Sequence, residues 1–337
     1  MSKIVIYRLG SLGDTVVALP FFNRIAELYP DHERIVLTNV PVSSQAAPLL
    51  VVLGNKKLVH DAIAYPAGTR DVSALLALWR QLRALKADAV IYMMPARSNV
   101  NIWRDYLFLK ACGFPKIIGV PESHSVAASR IDPVTGEMEP EVERLGRLLS
   151  DLGPINLKDP ANWNLWLDDE EVAVGHAMIA PFGGRPFLAI NMGGKLAKND
   201  WGLENWQAMI PRLAAAHPGL GLLGVGAVED QQRFDDIARL WPHTAVNACG
   251  RLKPRQSAAA LREACLFIGH DSGPMHLASA VGVPCVGLFG DNNPPRKWHP
   301  YIGVNRPLHD MRGVTLITVD DVLAAADDLL SLRESAA

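Results

Sequence analysis

Short apolar runs alternate along the chain with longer segments in which apolar residues recur at helical spacing. Continuous apolar runs at Lys3–Tyr7, Arg34–Thr38 and Asp88–Met94 are typical of parallel strands that are buried on both faces. Between the last two runs, Val72–Lys86 places leucines on one side and basic residues on the other, which predicts an amphipathic helix. Strands that alternate with helices in this way predict an α/β fold built on a parallel sheet.

The second half of the chain begins the same alternation again. Its predicted strands are Pro186–Asn191, Gly219–Val225, Thr244–Asn247, Cys265–Gly269 and Pro284–Phe289. The stretch between the halves, Gly153–Asn164, carries two prolines and little periodicity, which is typical of a linker. We therefore predict two doubly wound, Rossmann-like domains at residues 1–165 and 166–318. A helix within residues 319–337 follows them and is long enough to pack back on the first domain.

Composition places the chain among ordinary globular proteins. Its 337 residues suffice for two domains, and 49% hydrophobic with 20% charged residues is typical of a soluble protein. A net charge of −2 lacks the basic surplus of nucleic-acid-binding proteins, so no nucleic-acid partner is predicted. Without a signal-peptide pattern or an apolar run of about 18 residues, we expect a protein that is at most peripheral to a membrane. Scattered cysteines without metal-ligand spacing are predicted to be reduced core residues, namely Cys112, Cys249, Cys265 and Cys285.

One stretch of the second half places a polar turn and a short helix between two buried strands. The turn and the start of the helix comprise His270, Asp271, Ser272, Gly273, Pro274, Met275 and His276. Asp271 and Ser272 are residue types that cap helices, and Pro274 suits the first helical position. A helix that begins this way directs N–H groups and the positive end of its dipole outward, so it can bind a phosphate. An ordinary helix cap is the alternative.

A second candidate turn follows the first strand, where Gly10 and Gly13 lie three residues apart before a predicted helix. Glycines at a strand-to-helix turn allow a ligand or another chain segment to approach the backbone closely. The spacing is not the G-x-G-x-x-G fingerprint of dinucleotide-binding proteins. Asp14 lies where a helix cap belongs, and capping is the simplest role for it.

The run from Asp271 to Gly290, DSGPMHLASAVGVPCVGLFG, resembles the nucleotide-sugar motif of glycosyltransferase family 9, the heptosyltransferase family. The Gly13-Asp14 pair, and the helix that ends in Leu28-Tyr29-Pro30, resemble the start of that family. The resemblance covers both ends of the chain and most of its second half, whereas the first half beyond Pro30 matches only in layout. It implies the GT-B architecture, in which two Rossmann-like domains face a central cleft, and an inverting glycosyl transfer.

The resemblance also implies the catalytic residues. Asp14 matches the proposed general base, which takes a proton from the acceptor hydroxyl. A lysine in the loop at 192–201 would neutralise the diphosphate as the sugar leaves. The family commonly shows Ser-Lys-x-Trp here, whereas this chain has Lys198 three residues before Trp201 and Lys195 further upstream. Either lysine is therefore a candidate, with Lys198 preferred, and two solvated loop lysines are the alternative.

The other donor-binding candidates lie in loops that follow predicted strands of the second half, where the family binds the nucleotide and diphosphate. They are Met192, Gly193, Gly194 and Glu229, together with the residues from His270 to His276. Glycines permit close approach of the backbone to a diphosphate. Glu229 either binds ribose hydroxyls or is a first-turn helix acid favoured by the dipole, and the sequence leaves both interpretations open.

Candidates for the acceptor lie in the first half. The polar run at 95–104 follows a predicted strand, and ligands of open α/β sheets collect beyond the carboxyl ends of the strands. A plain surface loop is the alternative for this run. Together with residues beside the candidate base, the acceptor candidates are Ser11, Gly13, Arg97, Asn99 and Arg104.

The resemblance therefore predicts a glycosyltransferase that uses a nucleotide sugar, with ADP-heptose as the donor the family favours. Its acceptor would be the lipopolysaccharide core or another bacterial surface glycan, which implies a cytoplasmic enzyme that associates peripherally with the inner face of the inner membrane. No Asp-x-Asp triplet occurs, which favours a reaction without a metal, and no cofactor is predicted besides the nucleotide-sugar co-substrate. The alternatives are a family member with another donor, a nucleotide-sugar hydrolase or epimerase, and a non-catalytic nucleotide-binding scaffold.

Overall fold

The computed structural model describes residues 2–40, 49–54, 56–66, 68–69, 71–194 and 197–334. The chain divides into two compact units. The first comprises Met1–Leu157 with Ala161–Trp166, and the second comprises Lys158–Pro160 with Leu167–Ala337. Each unit holds its own parallel sheet, which confirms the α/β fold predicted from the alternation of strands and helices.

Within its described residues, the first unit forms a five-stranded parallel sheet in the order β3-β2-β1-β4-β5. The strands are β1 Lys3–Tyr7, β2 Glu33–Asn39, β3 Asp61–Tyr65, β4 Ala89–Tyr92 and β5 Lys116–Ile118. The helices are α1 Leu12–Val17, α2 Leu19–Leu28, α3 Leu49–Leu53, α4 Val72–Leu85, α5 Asn99–Ala111, α6 His124–Ala127 and α7 Glu141–Leu148. The central strands β1 and β4 are almost fully buried, whereas the edge strand β3 is half-exposed and therefore lacks a continuous apolar run in the sequence.

The described part of the second unit forms a six-stranded parallel sheet in the order β11-β10-β9-β6-β7-β8. The strands are β6 Phe187–Asn191, β7 Gly221–Gly224, β8 Ala245–Asn247, β9 Leu266–His270, β10 Cys285–Phe289 and β11 Asn305–His309. The helices are α8 Asp169–Ile179, α9 Leu203–Ala216, α10 Gln231–Ala238, α11 Pro254–Leu261, α12 Gly273–Ala280 and α13 Val319–Glu334. The strand–turn–helix–strand prediction around 265–290 is therefore met by β9, α12 and β10.

The C-terminal helix α13 packs on α9 and on β9, β10 and β11 within the second unit. Its apolar residues Val322, Ala326 and Leu329 lie in one buried cluster with Trp206 and Leu213. Burial of this apolar stripe stabilises the helix against the second sheet.

The cysteines behave as the sequence predicts, because all four are buried and none forms a disulfide. Burial raises the pKa of the Cys112 thiol to about 11, so it stays protonated and unreactive at pH 7. Among the described helices, none is long and apolar enough to cross a membrane.

Candidate active site

Asp14 lies in the first turn of α1, just beyond the carboxyl end of β1. Its Oδ2 accepts hydrogen bonds from the backbone N–H of Ser11 at 2.9 Å and from the Ser11 hydroxyl at 3.0 Å. Gly10 has φ +145°, and a Cβ there would lie 2.4 Å from the Cβ of Asp14, so only glycine allows this close turn. None of the residues that the structure describes donates to Oδ1. The turn therefore holds one carboxylate oxygen, while the other receives no hydrogen bond from the described residues.

A buried cluster of charges supports the Asp14 turn. Arg8 donates to the backbone carbonyl of Asp14 at 2.7 Å and to that of Met93 at 3.1 Å. Arg144 makes a two-pronged ion pair with Glu141, with Nε–Oε2 at 2.7 Å and NH2–Oε1 at 2.6 Å. Glu141 also lies 4.0 Å from Arg8, so one carboxylate faces two buried guanidinium groups. Burial lowers the pKa of Arg8, while the charges of Asp14 and Glu141 oppose that change.

The acceptor candidates Arg97 and Arg104 are brought together by an acid that the sequence analysis did not single out. Asp105 is buried on α5 and accepts from Arg97 at 3.1 Å and from Arg104 at 2.8 Å. Its Oδ2 also accepts from the Tyr92 hydroxyl at 2.9 Å. The third candidate, Asn99, has a separate contact, because its Oδ1 accepts the backbone N–H of a residue of α6 at 2.5 Å. The run at 95–104 is therefore the start of a helix rather than only a surface loop.

Three tyrosines end the strands of the first sheet at this edge. Tyr7 ends β1, Tyr65 ends β3 and Tyr92 ends β4, and the hydroxyl groups of Tyr7 and Tyr65 are hydrogen-bonded to each other. Burial raises the pKa of each phenol, so all three stay neutral at pH 7. The carboxyl edge of the first sheet therefore carries neutral hydroxyl groups beside a carboxylate and two arginines.

A second candidate surface lies beyond the carboxyl ends of β6, β9 and β10. Asn191, the last residue of β6, donates to the Val225 carbonyl at 2.9 Å and accepts from the Ser272 hydroxyl at 2.8 Å. Ser272 therefore bonds to a neighbouring strand end and does not cap α12 through its side chain. The N–H groups of Gly273 and Met275, in the first turn of α12, have no acceptor within the helix. They suit an anion at this position.

Asp271 and His276 lie on either side of this helix start. Asp271 accepts a hydrogen bond from Asn293 at 3.1 Å and lies 3.8 Å from Nε2 of His276. The His276 ring meets the Trp298 ring edge-on, with 6.1 Å between the centroids. Pro274 occupies the first turn of the helix, where its missing N–H costs no hydrogen bond. Side chains from the segment after β10 thus complete the surroundings of the turn.

Several of the predicted donor-binding residues have buried side chains. His270 is fully buried, and its Nε2 accepts the backbone N–H of Trp201 at 3.0 Å. Burial lowers the pKa of His270 to about 4, so the neutral ring fixes the end of the loop at 192–201. Met192 and Met275 are core side chains. Met192 and Met275 can therefore contact a ligand only through their backbone atoms.

An acid lies against the glycines of the predicted diphosphate loop. A Cβ on Gly193 would lie 2.2 Å from the carboxylate of Asp230, and one on Gly226 would lie 2.4 Å from it. Asp230 also accepts the N–H of Ala227 at 2.8 Å, and burial raises its pKa. The structure therefore places Asp230 against Gly193, while the predicted acid Glu229 is exposed beside it.

Lys198, the preferred lysine, lies in a short turn at Ala197–Asn199 after β6. Its Nζ is 3.7 Å from Oδ1 of Asp291, and both side chains are 49% exposed. An exposed pair of this kind is worth at most about 1 kcal/mol, so a diphosphate can displace it. Gly194 precedes this turn and is exposed, and Lys195 lies outside the described residues.

Several polar residues of these surfaces were not predicted from the sequence, namely Asp105, Asn191, Asp230, Asp291 and Asn293. Asn191 ends a predicted strand and Asp291 closely follows one. Because ligands of open α/β sheets collect beyond the carboxyl ends of the strands, these positions could have been found from the sequence. Asp230 lies next to Glu229 in a loop that follows a predicted strand, so its position points to it as well, whereas Asp105 carries no such signal. No group of three or more His, Cys, Asp or Glu side chains that could hold a metal ion occurs among the described residues.

Two units that are each built on a parallel sheet give the chain the GT-B fold, which it shares with solved heptosyltransferase structures. Within that fold class, the chain belongs to glycosyltransferase family 9 (heptosyltransferase), whose family model matches residues 75–306. The resemblance seen in the sequence is therefore confirmed, and the protein is an enzyme of glycosyl transfer.

Relatives with names and structures agree with this assignment. The chain is similar to the lipopolysaccharide core heptosyltransferase OpsX of Haemophilus influenzae, at 25% identity over 299 residues, which covers 87% of this chain and 80% of that protein. It is similar to the structure of a family 9 glycosyl transferase from Veillonella parvula, with TM-score 0.74, 19% identity and 98% of both chains covered. It is also similar to the structure of E. coli ADP-heptose lipopolysaccharide heptosyltransferase II, with TM-score 0.67, 19% identity and coverage of 98% and 99%. At these identities, the structures establish the shared fold.

Proposed function

We propose that this glycosyltransferase moves heptose from ADP-heptose to a saccharide of the lipopolysaccharide core, with inversion at the anomeric carbon and without a metal ion. The observation that carries the proposal is the environment of Asp14, whose Oδ2 is bound by Ser11 while Oδ1 is open to an acceptor hydroxyl. The family supplies the reaction class. The named relatives support the substrates, since one is a lipopolysaccharide core heptosyltransferase and another an ADP-heptose heptosyltransferase.

In the proposed reaction, Oδ1 of Asp14 takes the proton of the acceptor hydroxyl as that oxygen attacks the anomeric carbon. The new C–O bond forms on the face opposite the diphosphate. The bond from the anomeric carbon to the diphosphate oxygen breaks, and the nucleoside diphosphate leaves with the electron pair. Arg8 contributes by binding the backbone carbonyl of Asp14, which keeps the carboxylate in place.

Positive charge for the leaving diphosphate would come from two sources in the second unit. The first turn of α12 offers the N–H groups of Gly273 and Met275. Lys198 would exchange its weak pairing with Asp291 for the diphosphate. Together these groups take the part that a metal ion plays elsewhere, which is why we propose a metal-independent reaction. Asp230 joins Glu229 as a candidate for the ribose hydroxyls, because it lies against the glycine loop.

The acceptor would bind at the carboxyl edge of the first sheet. Ser11 and Gly13 lie beside the proposed base, and Arg97 and Arg104 are held at the same edge by Asp105. Guanidinium groups suit the acidic groups of a lipopolysaccharide core. An acceptor that is linked to lipid would place the enzyme at the cytoplasmic face of the inner membrane.

The test is a transfer assay with purified enzyme, ADP-heptose and a lipopolysaccharide core acceptor, run with and without EDTA. We expect transfer that EDTA does not reduce, and an inverted anomeric configuration in the product by NMR. Retained configuration would contradict inversion, and dependence on a metal would contradict the metal-independent reaction. Transfer only from a UDP- or GDP-sugar would contradict ADP-heptose as the donor. Release of free sugar without acceptor, as fast as transfer, would indicate a hydrolase.

The role of Asp14 has its own test. Asp14→Asn keeps the shape of the side chain but removes the base, so we expect kcat to fall about 10²- to 10⁴-fold. Binding of ADP, measured by calorimetry, should be unchanged because the donor surface lies in the other unit. Asp31→Asn is the matched control, since Asp31 is an exposed acid of the same unit. Full activity in Asp14→Asn would remove Asp14 as the base.

A further inference from the structure

Helices α4 and α5 pack on the same face of the first sheet. Their inward residues Leu78, Leu82 and Leu109 belong to one buried cluster with residues of β1, β2 and β4. The indole N–H of Trp79 on α4 donates to the carbonyl of Ala111 at the end of α5, at 2.9 Å. The outer faces of the two helices therefore both point away from the sheet.

The outer face of α5 carries large apolar side chains. Val100, Trp103 and Leu107 are 78%, 57% and 60% exposed and lie at positions i, i+3 and i+7, which is one side of a helix. The inward side of the same helix is apolar as well, with Ile102 and Leu109 buried. Exposure of apolar side chains to water is unfavourable. A helix that is apolar on its outer side as well as its inner side therefore has a surface suited to a partner.

The outer face of α4 continues this surface. Val72 and Leu76 are 76% and 42% exposed and lie one turn apart. Trp79 is half-buried one turn further along, with the guanidinium of Arg83 5.3 Å from its ring centroid. Single exposed apolar residues are ordinary, but this set lies on two helices that meet through Trp79 and Ala111, and apolar side chains exposed together can mark an interaction site.

The exposed charges on these helices are all positive. The cations in and directly after α4 and α5 are Arg80, Arg83, Lys86, Arg104 and Lys110. Asp105 is the acid within these two helices, and it is buried and paired with Arg97 and Arg104. Asp71 caps the start of α4 and is bound by Ser73. A partner for this surface must therefore be apolar and negatively charged at once.

We propose that the outer faces of α4 and α5 dock on a lipid bilayer with anionic headgroups. We call this surface the α4–α5 face; it consists of Val72, Leu76, Trp79, Arg80, Arg83, Val100, Trp103, Arg104, Leu107 and Lys110. Tryptophan is favoured at the boundary between headgroups and acyl chains, and leucine and valine enter the apolar layer. Lysine and arginine lie along the apolar surface while their charged ends reach the headgroups.

The α4–α5 face adjoins the proposed acceptor edge. Arg104 belongs to the face, and through Asp105 it is joined to Tyr92 at the end of β4. Docking would therefore bring the carboxyl edge of the first sheet to the membrane surface, where a lipid-linked acceptor lies. The proposal goes beyond the proposed function, because it needs neither a particular donor nor a particular sugar.

The test is co-sedimentation of the full chain with vesicles of phosphatidylcholine that contain about 30 mol% phosphatidylglycerol, compared with phosphatidylcholine alone. We expect binding to the anionic vesicles that weakens as salt is raised. Arg80→Gln with Lys110→Gln should weaken binding about 25-fold, since each cation contributes about fivefold. Trp103→Ser with Leu107→Ser should weaken it by more than about tenfold. Because these side chains are exposed, the variants should keep the wild-type melting temperature.

Matched controls come from the second unit. Arg239→Gln with Arg262→Gln removes two exposed cations, and Leu240→Ser with Leu332→Ser removes two exposed apolar side chains. These variants should bind vesicles like the wild type. Absence of vesicle binding, or equal losses in the controls, would overturn the proposal. It would also be overturned if analytical ultracentrifugation showed a dimer that only the α4–α5 variants dissociate, because the face would then bind a second copy.

Failure of this inference can be told apart from failure of the proposed function. Transfer to a short, lipid-free core saccharide measures the chemistry without a membrane. The α4–α5 variants should keep that activity and lose transfer to acceptor embedded in anionic vesicles. If the wild type transferred sugar in neither assay, the proposed function would be contradicted. The vesicle-binding result would then decide by itself whether the α4–α5 face docks on a bilayer.

Discussion

The buried pair Glu141–Arg144 offers a quantitative test of how this fold supports the candidate base. The perturbation is Glu141→Gln, which removes the carboxylate that faces Arg144 at 2.6 Å and Arg8 at 4.0 Å. Both guanidinium groups are buried and would lose their counter-charge. Removing one partner of a buried pair typically costs about 3 to 5 kcal/mol, because the remaining charge stays desolvated. For a protein of this size, that loss lowers the melting temperature by roughly 10 °C.

The chain supplies a control that differs chiefly in burial. Arg24 and Glu27 are also three residues apart on a helix and lie 3.1 Å from each other, but Glu27 is 60% exposed. Exposed pairs contribute at most about 1 kcal/mol, so Glu27→Gln should change the melting temperature by less than about 4 °C. Both variants are measured by scanning calorimetry and by urea unfolding followed by circular dichroism.

A double variant separates charge from packing. Glu141→Leu with Arg144→Met removes both charges of the pair, and it should recover much of the stability that Glu141→Gln loses. Arg8 would keep its bonds to backbone carbonyls in that variant. Equal small losses of stability in Glu141→Gln and Glu27→Gln would show that burial does not set the strength of the pair. A double variant less stable than Glu141→Gln would show that packing rather than charge dominates.

Two further predictions concern the second unit. The folded chain holds His270 neutral with a pKa of about 4, whereas an unfolded chain protonates histidine near pH 6.5, so the unfolded state binds more protons between these values. The free energy of unfolding should therefore fall by up to about 3 kcal/mol as pH falls from 6.5 to 4. In urea unfolding, His270→Gln should flatten this dependence on pH. An unchanged dependence in the variant would show that His270 is not its cause. Gly193→Ala would place a Cβ 2.2 Å from the carboxylate of Asp230, so we expect ADP binding to weaken by more than about tenfold in calorimetry. Wild-type affinity in that variant would show that Gly193 lies away from the nucleotide.

How far the sequence predicted each element depended on burial. β1, β4, β9 and β10 are buried on both faces, and such strands appear as continuous apolar runs. The edge strands β3 and β11 are half-exposed, so their residues carry no clear period and were not predicted. The start of α5 was read as a polar run because its N-terminal residues face solvent.

The candidate site shows the same division. The turn at Asp14 and the helix start at 271–275 are local motifs, in which neighbours in sequence are neighbours in space. A motif of this kind carries its geometry in its own residues, so the sequence sufficed to find it. Contacts such as Ser272 with Asn191, or Asp105 with Tyr92, join residues from different strands and helices. They depend on the order of strands in the sheet, which periodicity does not report.

The sequence by itself determined the class of fold, the family, and the two turns around which a glycosyl transfer site is proposed. These follow from apolar periodicity and from short motifs, which act within a few residues of the chain. Only the tertiary structure decided that His270 is buried against the loop end at Trp201, that Asp105 pairs with Tyr92 of β4, and that α13 completes the second core. The physical reason is that burial and pairing of a side chain are set by segments distant in sequence, which come together only when the chain folds.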